Sequence, residues 1–177
     1  MPIQKLLHPI QAILNDMIVI GIDPGTATTG FGIIEVKGMQ CVALDYGVIT
    51  TDKSLSHSVR LKILHDDVAA ILATYKPTAA GVEKLFFATN VTTAMKVSEA
   101  RGVILLALEQ AGVEIREFTP LQIKQATTGY GQAKKPQMQQ MVMKILSLTD
   151  IPKPDDAADA LAIALAAAKK NPRSRFF

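Results

Sequence analysis

Residues Met17–Asp23 form an almost unbroken apolar run that ends in an acid, and this run constrains the fold more than any other feature. A strand of this composition has no polar face for water, so it is typical of a sheet that is covered on both sides. A Pro-Gly pair then turns the chain, and residues 30–36 and 40–50 predict two further strands joined by a tight turn. The short connections favour an antiparallel meander at the start of the domain.

The rest of the chain alternates between helical and strand patterns. In chain order we expect helix 56–75, strand 79–83, helix 91–111, strand 113–118 and a helical remainder with breaks at 129–131 and 151–154. The predicted order is βββαβαβαα. The predicted fold class is therefore α/β, with a mixed five-stranded sheet flanked by helices.

Composition excludes several other classes of protein. The chain has 177 residues, 49% of them hydrophobic and 20% charged, which excludes a disordered chain and suits one domain. Its single cysteine, Cys41, can form neither an internal disulfide nor a cysteine zinc cage, and it fits a reducing cytoplasm. No apolar run approaches the roughly 20 residues that span a bilayer, so we expect a cytoplasmic protein without a membrane segment.

We divide the chain into an N-terminal extension (1–16), a main domain (17–170) and a short basic tail (171–177). The extension has apolar residues at helical spacing, but Pro9 in its middle would break a helix. We expect the functional protein to begin at Met17, with the extension mis-assigned or loosely attached. A docked additional helix is the alternative, and only then should deletion of the extension reduce stability.

Four acids lie where α/β proteins gather functional groups. Asp23 and Glu83 each end a predicted strand, and functional side chains cluster beyond the carboxyl ends of strands in such sheets. If the two strands are parallel neighbours, the Cα atoms of these acids lie about 5 Å apart. Asp156 and Asp159 have the i,i+3 spacing that places two side chains on one helix face, and the alanines between them allow close approach to the sheet.

A cluster of four carboxylates needs compensation, because like charges repel unless cations neutralise them or their pKa values rise. Hard oxygen ligands suit Mg²⁺ or Mn²⁺, and two such ions can clamp the attacking and leaving oxygens of a phosphodiester. Each acid also has a simpler interpretation. Asp23 is then a turn cap and Glu83 an ion-pair partner, while Asp155 or Asp156 is a helix cap. Their joint placement favours the metal site.

The basic residues are unevenly distributed, although the formal net charge is only +3. Residues 118–149 contain no acid but include Lys124, Lys134, Lys135 and Lys144, and such a stretch suits contacts with phosphate. A solvated helix face is the alternative, which we favour for Lys144 and for the basic tail. The chain therefore combines an acidic cluster with acid-free, lysine-bearing segments.

Several separated motifs together resemble the RuvC family of bacterial Holliday junction resolvases. From about residue 17 to residue 168 they are Gly21-Ile22-Asp23-Pro24-Gly25, Gly30-Phe31-Gly32, Val82-Glu83 followed by Phe86, Ala100-Arg101-Gly102, Ile123-Lys124-Gln125 and Asp156-Ala157-Ala158-Asp159-Ala160-Leu161-Ala162. The resemblance implies a ribonuclease-H-like fold. It also implies a DNA endonuclease of recombination and repair that resolves four-way junctions by paired symmetric nicks, leaving 5′-phosphate and 3′-hydroxyl ends.

The resemblance also assigns roles to particular residues. It implies that four acids hold two Mg²⁺ ions, with Mn²⁺ as a substitute: Asp23, Glu83, Asp156 and Asp159. Asp155 is out of phase with the family pattern, so we expect it to be a helix cap. Lys84, next to the catalytic Glu83, departs from the often uncharged residue of the family, and strand alternation should turn it away.

The DNA contacts and partners follow from the same resemblance. Lys124 and Lys135 match family lysines that hold the scissile phosphate and stabilise its charge. Of the two, Lys135 is expected to have a catalytic role. Phe86 matches the residue that stacks in the junction, with core packing as the alternative, whereas Phe87 is expected to pack inside. A homodimer is implied, since two symmetric nicks suit a twofold axis. RuvA and RuvB, the branch-migration proteins, are implied as partners.

Three other interpretations remain at this level. The loop after Asp23 also resembles the first phosphate loop of actin-like ATPases and sugar kinases, but the second lobe and second glycine-rich Asp loop are missing. A YqgF-type nuclease shares the first motif without the Asp156–Asp159 signature or the Phe86 loop. A non-catalytic nucleic-acid-binding module is the third, and it would not need four carboxylates.

Overall fold

The computed structural model describes residues 17–85 and 91–169, and of residues 91–93 only the backbone. Three groups of residues discussed above lie outside these ranges, namely the extension 1–16, the aromatic pair Phe86 and Phe87, and the basic tail 171–177. Within the described ranges, no helix is long and apolar enough to cross a membrane.

In the part of the chain that the structure describes, the core of the fold is a mixed sheet of five strands in the order β3-β2-β1-β4-β5. In chain order the strands are β1 (Met17–Asp23), β2 (Thr28–Lys37), β3 (Gln40–Thr50), β4 (Ala79–Glu83) and β5 (Glu114–Phe118). The first three strands pair antiparallel as a meander, whereas β4 runs parallel to β1, and β5 runs parallel to β4. The predicted mixed five-stranded sheet is confirmed.

Within residues 17–85 and 91–169, five helices cover the sheet, and the element order is βββαβαβααα. They are α1 (His57–Tyr75), α2 (Val91–Gln110), α3 (Pro120–Thr128), α4 (Lys135–Ile145) and α5 (Asp155–Lys169). The predicted order has one helix too few, because each of the two predicted breaks separates a pair of helices. At the first break, Gly129 adopts the left-handed conformation (φ 76°) that ends α3.

Both faces of the central strand β1 are covered, as its apolar run predicts. Val19 points to the side covered by α3, α4 and α5, and it belongs to one core cluster with Leu161 and Val142. Its neighbours Ile20 and Ile22 belong to a second cluster on the side of α1 and α2. Alternation along one strand therefore supplies two cores, and the acid that ends β1 emerges between them.

Helix α5 lies directly against the sheet backbone because glycines stand where it crosses. A Cβ atom at Gly21 would lie 2.0 Å from the carbonyl oxygen of Ala160, and one at Gly30 would lie 2.1 Å from that of Asp156. Real side chains cannot adopt such distances, so only glycine permits this approach. Gly30 is also the register partner of Asp23. The first turn of α5 is thereby placed beside the end of β1.

Candidate active site

Asp23 and Glu83 meet at the carboxyl ends of two parallel neighbouring strands. Ile22 of β1 is the register partner of Val82 of β4, so the two acids follow at the same level. This arrangement is the one that the sequence analysis required for the two acids to come close. Their side chains are half-buried and share a hydrogen bond, which two carboxyl groups can form only when one of them carries a proton.

The electrostatics of this strand pair show excess negative charge. Burial, together with the charges of Glu83, Asp159 and Asp156 and the hydrogen bond with Glu83, raises the pKa of Asp23 to about 8. Burial also raises the pKa of Glu83, with a contribution from Asp159, against the opposing effects of its hydrogen bond with Asp23 and of the Lys124 charge. Asp23 is therefore the group that holds the shared proton at neutral pH.

Asp159, on α5, is compensated by a lysine instead. Burial raises the pKa of its carboxyl group, while Lys135 opposes that shift through its charge and a hydrogen bond. The Nζ atom of Lys135 lies 3.2 Å from Asp159 Oδ2 and 3.1 Å from Asp155 Oδ2. Asp156 is half-buried one turn earlier, close enough for its charge to act on both Asp23 and Asp159. The structure thus gathers all four predicted acids.

Asp155 has a different role from the one predicted. It is the first residue of α5, where the carbonyl of Pro154 accepts from the amide of Ala157. Its carboxylate instead contacts α4, accepting from Gln139 Nε2 at 3.0 Å and lying 3.1 Å from Lys135 Nζ. The expected helix cap is therefore wrong. The i,i+4 spacing of Lys135 and Gln139, which places both side chains on one face of α4, was the sequence signal for this shared contact.

A cavity of about 270 Å³ adjoins the acids and contains the two predicted lysines. Its polar lining consists of Glu83, Lys124, Lys135 and Asp159, and its apolar lining comes mainly from α3, α4 and α5. Both signs of charge therefore border one space, which is the arrangement that an anionic phosphate bridged to cations requires. Lys84, by contrast, is exposed just beyond β4, and its backbone amide donates to the carbonyl of Phe118 at 2.8 Å.

The loop after Asp23 is tied to α1 by Arg60, a residue that the sequence analysis did not single out. The Arg60 guanidinium donates to the carbonyl oxygen of Thr26 at 2.8 Å and to the Thr51 hydroxyl at 2.9 Å. The Thr51 hydroxyl in turn donates to the same Thr26 carbonyl at 2.7 Å. This network fixes the loop three residues beyond Asp23.

Glu83 is held through its backbone by Arg101, which the sequence analysis quoted only as part of a motif. Arg101 Nε on α2 donates to the Glu83 carbonyl oxygen at 3.1 Å, and the same guanidinium forms an ion pair with Glu117 of β5. The end of β4 is thus attached to a helix on one side and to a strand on the other.

The donor set fits a hard divalent cation, although the side chains do not converge on one point. Among residues 17–85 and 91–169, no three His, Cys, Asp or Glu side chains are arranged to hold an ion as they stand. Four carboxylates nevertheless act on one another, and the raised pKa values of Asp23, Glu83 and Asp159 show negative charge that a cation would neutralise. The chemistry of the site therefore suits Mg²⁺ or Mn²⁺.

Comparison with known proteins identifies the family. The family described as crossover junction endodeoxyribonuclease RuvC matches residues 19–167. A protein of that name from Heliobacterium modesticaldum is 54% identical over 152 residues, which are 86% of this chain and 94% of the relative.

Solved structures agree with this assignment. Thermus thermophilus RuvC in complex with Holliday junction substrate superimposes with a TM-score of 0.81 at 39% identity, covering 85% of this chain and 92% of that one. The yeast mitochondrial resolvase Ydc2 shares the fold at a TM-score of 0.64 and 12% identity, over 88% and 79% of the two chains. This chain belongs to the RuvC family of crossover junction endodeoxyribonucleases.

Proposed function

We propose that this chain resolves Holliday junctions in homologous recombination and DNA repair, by cutting two strands symmetrically to leave 5′-phosphate and 3′-hydroxyl ends. The observation that carries the proposal is the meeting of four carboxylates from β1, β4 and α5 beside a cavity that also contains two lysines. Family membership supports the same activity, and a solved structure of the T. thermophilus relative is in complex with Holliday junction substrate.

We propose that two Mg²⁺ ions are the cofactor and that four residues hold them: Asp23, Glu83, Asp156 and Asp159. When bound, such ions supply an activated water and stabilise the charge of the phosphodiester during in-line attack. The chain's own contribution is a prearranged set of oxygen donors. The close approach of α5 to β1 and β2 holds two of these acids beside the other two.

Two lysines are proposed to hold the scissile phosphate. Lys135 and Lys124 both line the cavity next to Glu83, and their charges complement a phosphate placed there. Lys135 lies closer to the acids through its ion pair with Asp159, so it is the better candidate for stabilising the charge that develops during cleavage. Phe86, which lies outside the described residues, is proposed to stack against junction bases.

A homodimer is proposed because paired symmetric cuts need two equivalent sites. Met95 and Leu106 of α2 are 60% and 53% exposed, although both are large apolar residues. Gly102 lies on the same face of the helix. A Cβ atom added to Gly102 would meet nothing within 4 Å. This face suits a second copy of the chain. A cytoplasmic location and cooperation with RuvA and RuvB are proposed from the family alone.

A mobile four-way junction with each strand labelled in turn tests this function. With Mg²⁺ we expect nicks at symmetric positions in two opposite strands, whereas a linear duplex and a chelator-treated reaction should show none. Binding of the junction without nicks would instead support a non-catalytic module. ATP turnover would support the actin-like alternative, and either result would overturn the proposal.

A further inference from the structure

Four side chains on α4 and α5 form a connected chain of contacts. Lys135 and Gln139 are one helical turn apart on α4, and Asp155 and Asp159 are one turn apart on α5. Lys135 contacts both acids, at 3.1 and 3.2 Å, and Asp155 contacts both α4 residues, at 3.1 Å and 3.0 Å. Lys135 is therefore held at two points, and so is Asp155.

The two partners of Lys135 are not equivalent in the working enzyme. Asp159 is a proposed metal ligand, and a carboxylate that coordinates a cation has less charge to offer a lysine. Asp155 is not among the proposed ligands, so its attraction for the lysine persists. Gln139 fixes the other oxygen of Asp155, which limits where that carboxylate can place the ammonium group.

We infer that Asp155 is a positioning residue that holds Lys135 at the active site when Asp159 is engaged by a metal ion. The inference rests on the proposed function, since it concerns the lysine that acts on the phosphate. A lysine has a long, flexible side chain, and holding it in one geometry otherwise costs rotamer entropy. The side chains of Lys135 and Asp155 are 48% and 62% exposed, so solvent screening keeps the effect moderate.

A double-mutant cycle separates positioning from a general effect on folding. Asp155→Asn should lower the single-turnover cleavage rate about threefold to fivefold, the size of an exposed ion pair, while leaving junction affinity unchanged. In the background of Lys135→Ala the same substitution should have no further effect, because the group that Asp155 positions is gone. A purely structural role would reduce the rate equally in both backgrounds.

A second readout does not depend on cleavage. In the protein saturated with Mg²⁺, Asp155→Asn should raise the rate at which an amine-reactive reagent modifies Lys135 relative to Lys144, measured by peptide mass spectrometry. Asp66→Asn is the matched control, because Asp66 forms an exposed i,i+4 ion pair with Lys62 on α1. That control should release Lys62 alone and leave cleavage unchanged.

The outcomes distinguish the two proposals. Equal rate losses in both backgrounds, an unchanged cleavage rate for Asp155→Asn, a loss confined to affinity, or unchanged modification of Lys135 would each overturn the role of Asp155. Absence of junction cleavage by the unaltered protein would overturn the proposed function and the positioning role with it. An unaltered cleavage rate in Lys135→Ala would overturn the proposal that Lys135 acts on the scissile phosphate, and the positioning role of Asp155 with it.

Discussion

The two pairs of acids in this site differ in what compensates their charge. On the strands, Asp23 and Glu83 share a hydrogen bond, and burial raises the pKa values of both. On the helix, Asp159 has a lysine partner at 3.2 Å. A proton offsets one of the two charges of the strand pair, and the ammonium group of Lys135 offsets one of the two charges of the helix pair. A divalent cation held by both pairs would have to displace the proton from the strand pair. It would also have to compete with the ammonium group of Lys135 for Asp159.

The two pairs also differ in how they are positioned. The strand pair depends on backbone register, since the residues before both acids are partners across β1 and β4. The helix pair depends on the distance between α5 and the sheet, which glycines set. The site is therefore sensitive to changes that move α5 even when all four acids are present.

The largest expected effect of a packing change comes from Gly30→Ala. Its Cβ atom would meet the backbone of Asp156 at 2.1 Å, and backbone cannot rotate away as a side chain can. We expect a loss of about 3 kcal/mol in the free energy of unfolding, and cleavage should fall because α5 is displaced from the strand pair. Denaturant unfolding and junction cleavage measure the two effects.

Gly102→Ala is the control for this prediction, because its Cβ atom meets open space in the middle of α2. It should raise the free energy of unfolding by about 0.5 kcal/mol, since alanine is the better helix former. Similar destabilisation by both substitutions would mean that Gly30 is not required for the close approach of α5 to the sheet.

A smaller effect is expected from Lys135→Ala, which removes the ammonium group from the helix pair. Turnover should fall about 100-fold because the developing phosphate charge loses a donor, while junction affinity should change far less. Lys144→Ala, which removes an exposed lysine from the same helix, is the control and should leave turnover unchanged. An equal loss of affinity and turnover would place Lys135 in general DNA binding instead.

A further prediction is a pH dependence of stability in the absence of divalent ions. The pKa of Asp23 is about 8 in the folded protein against 3.8 ordinarily, so between these values the folded state binds more protons than the unfolded chain. Stability should therefore fall as pH rises from about 4 to about 8 and level off above that.

Thermal unfolding in a chelator, measured at several pH values, checks this dependence. Asp23→Asn should reduce the slope, because the substituted residue no longer titrates. Added Mg²⁺ should raise the Tm of the unaltered protein most at pH 8, where the acids can ionise. Parallel curves for the two proteins would contradict the assignment of the shared proton to Asp23.

Much of the fold could be predicted because its signals are local. The bounds of β1, β3 and β4 agree with the predicted strands. Asp23 and Glu83 were expected to lie close together if their strands are parallel neighbours, because each acid ends its strand. The i,i+3 spacing of Asp156 and Asp159 likewise follows from helix geometry alone. Strand and helix periods carry this information in a few consecutive residues.

The remaining features depend on how distant elements pack. Asp155 was expected to cap its own helix, but it contacts Lys135 and Gln139 because α4 docks beside it. Arg60 lies 34 residues from the carbonyl of Thr26, to which it donates, and no sequence period links them. Such contacts are set by tertiary geometry, so a single sequence does not reveal them.

The central claim is that the acids at the ends of β1, β4 and α5 form one metal-dependent cleavage site. Asp23→Asn tests it most directly, because it removes the carboxylate on which the charges of the other three converge. With Mg²⁺ and a mobile four-way junction, we expect the substituted protein to bind with unchanged affinity and to lose cleavage by at least about 1,000-fold. Nicking at a rate near that of the unaltered protein would contradict the account.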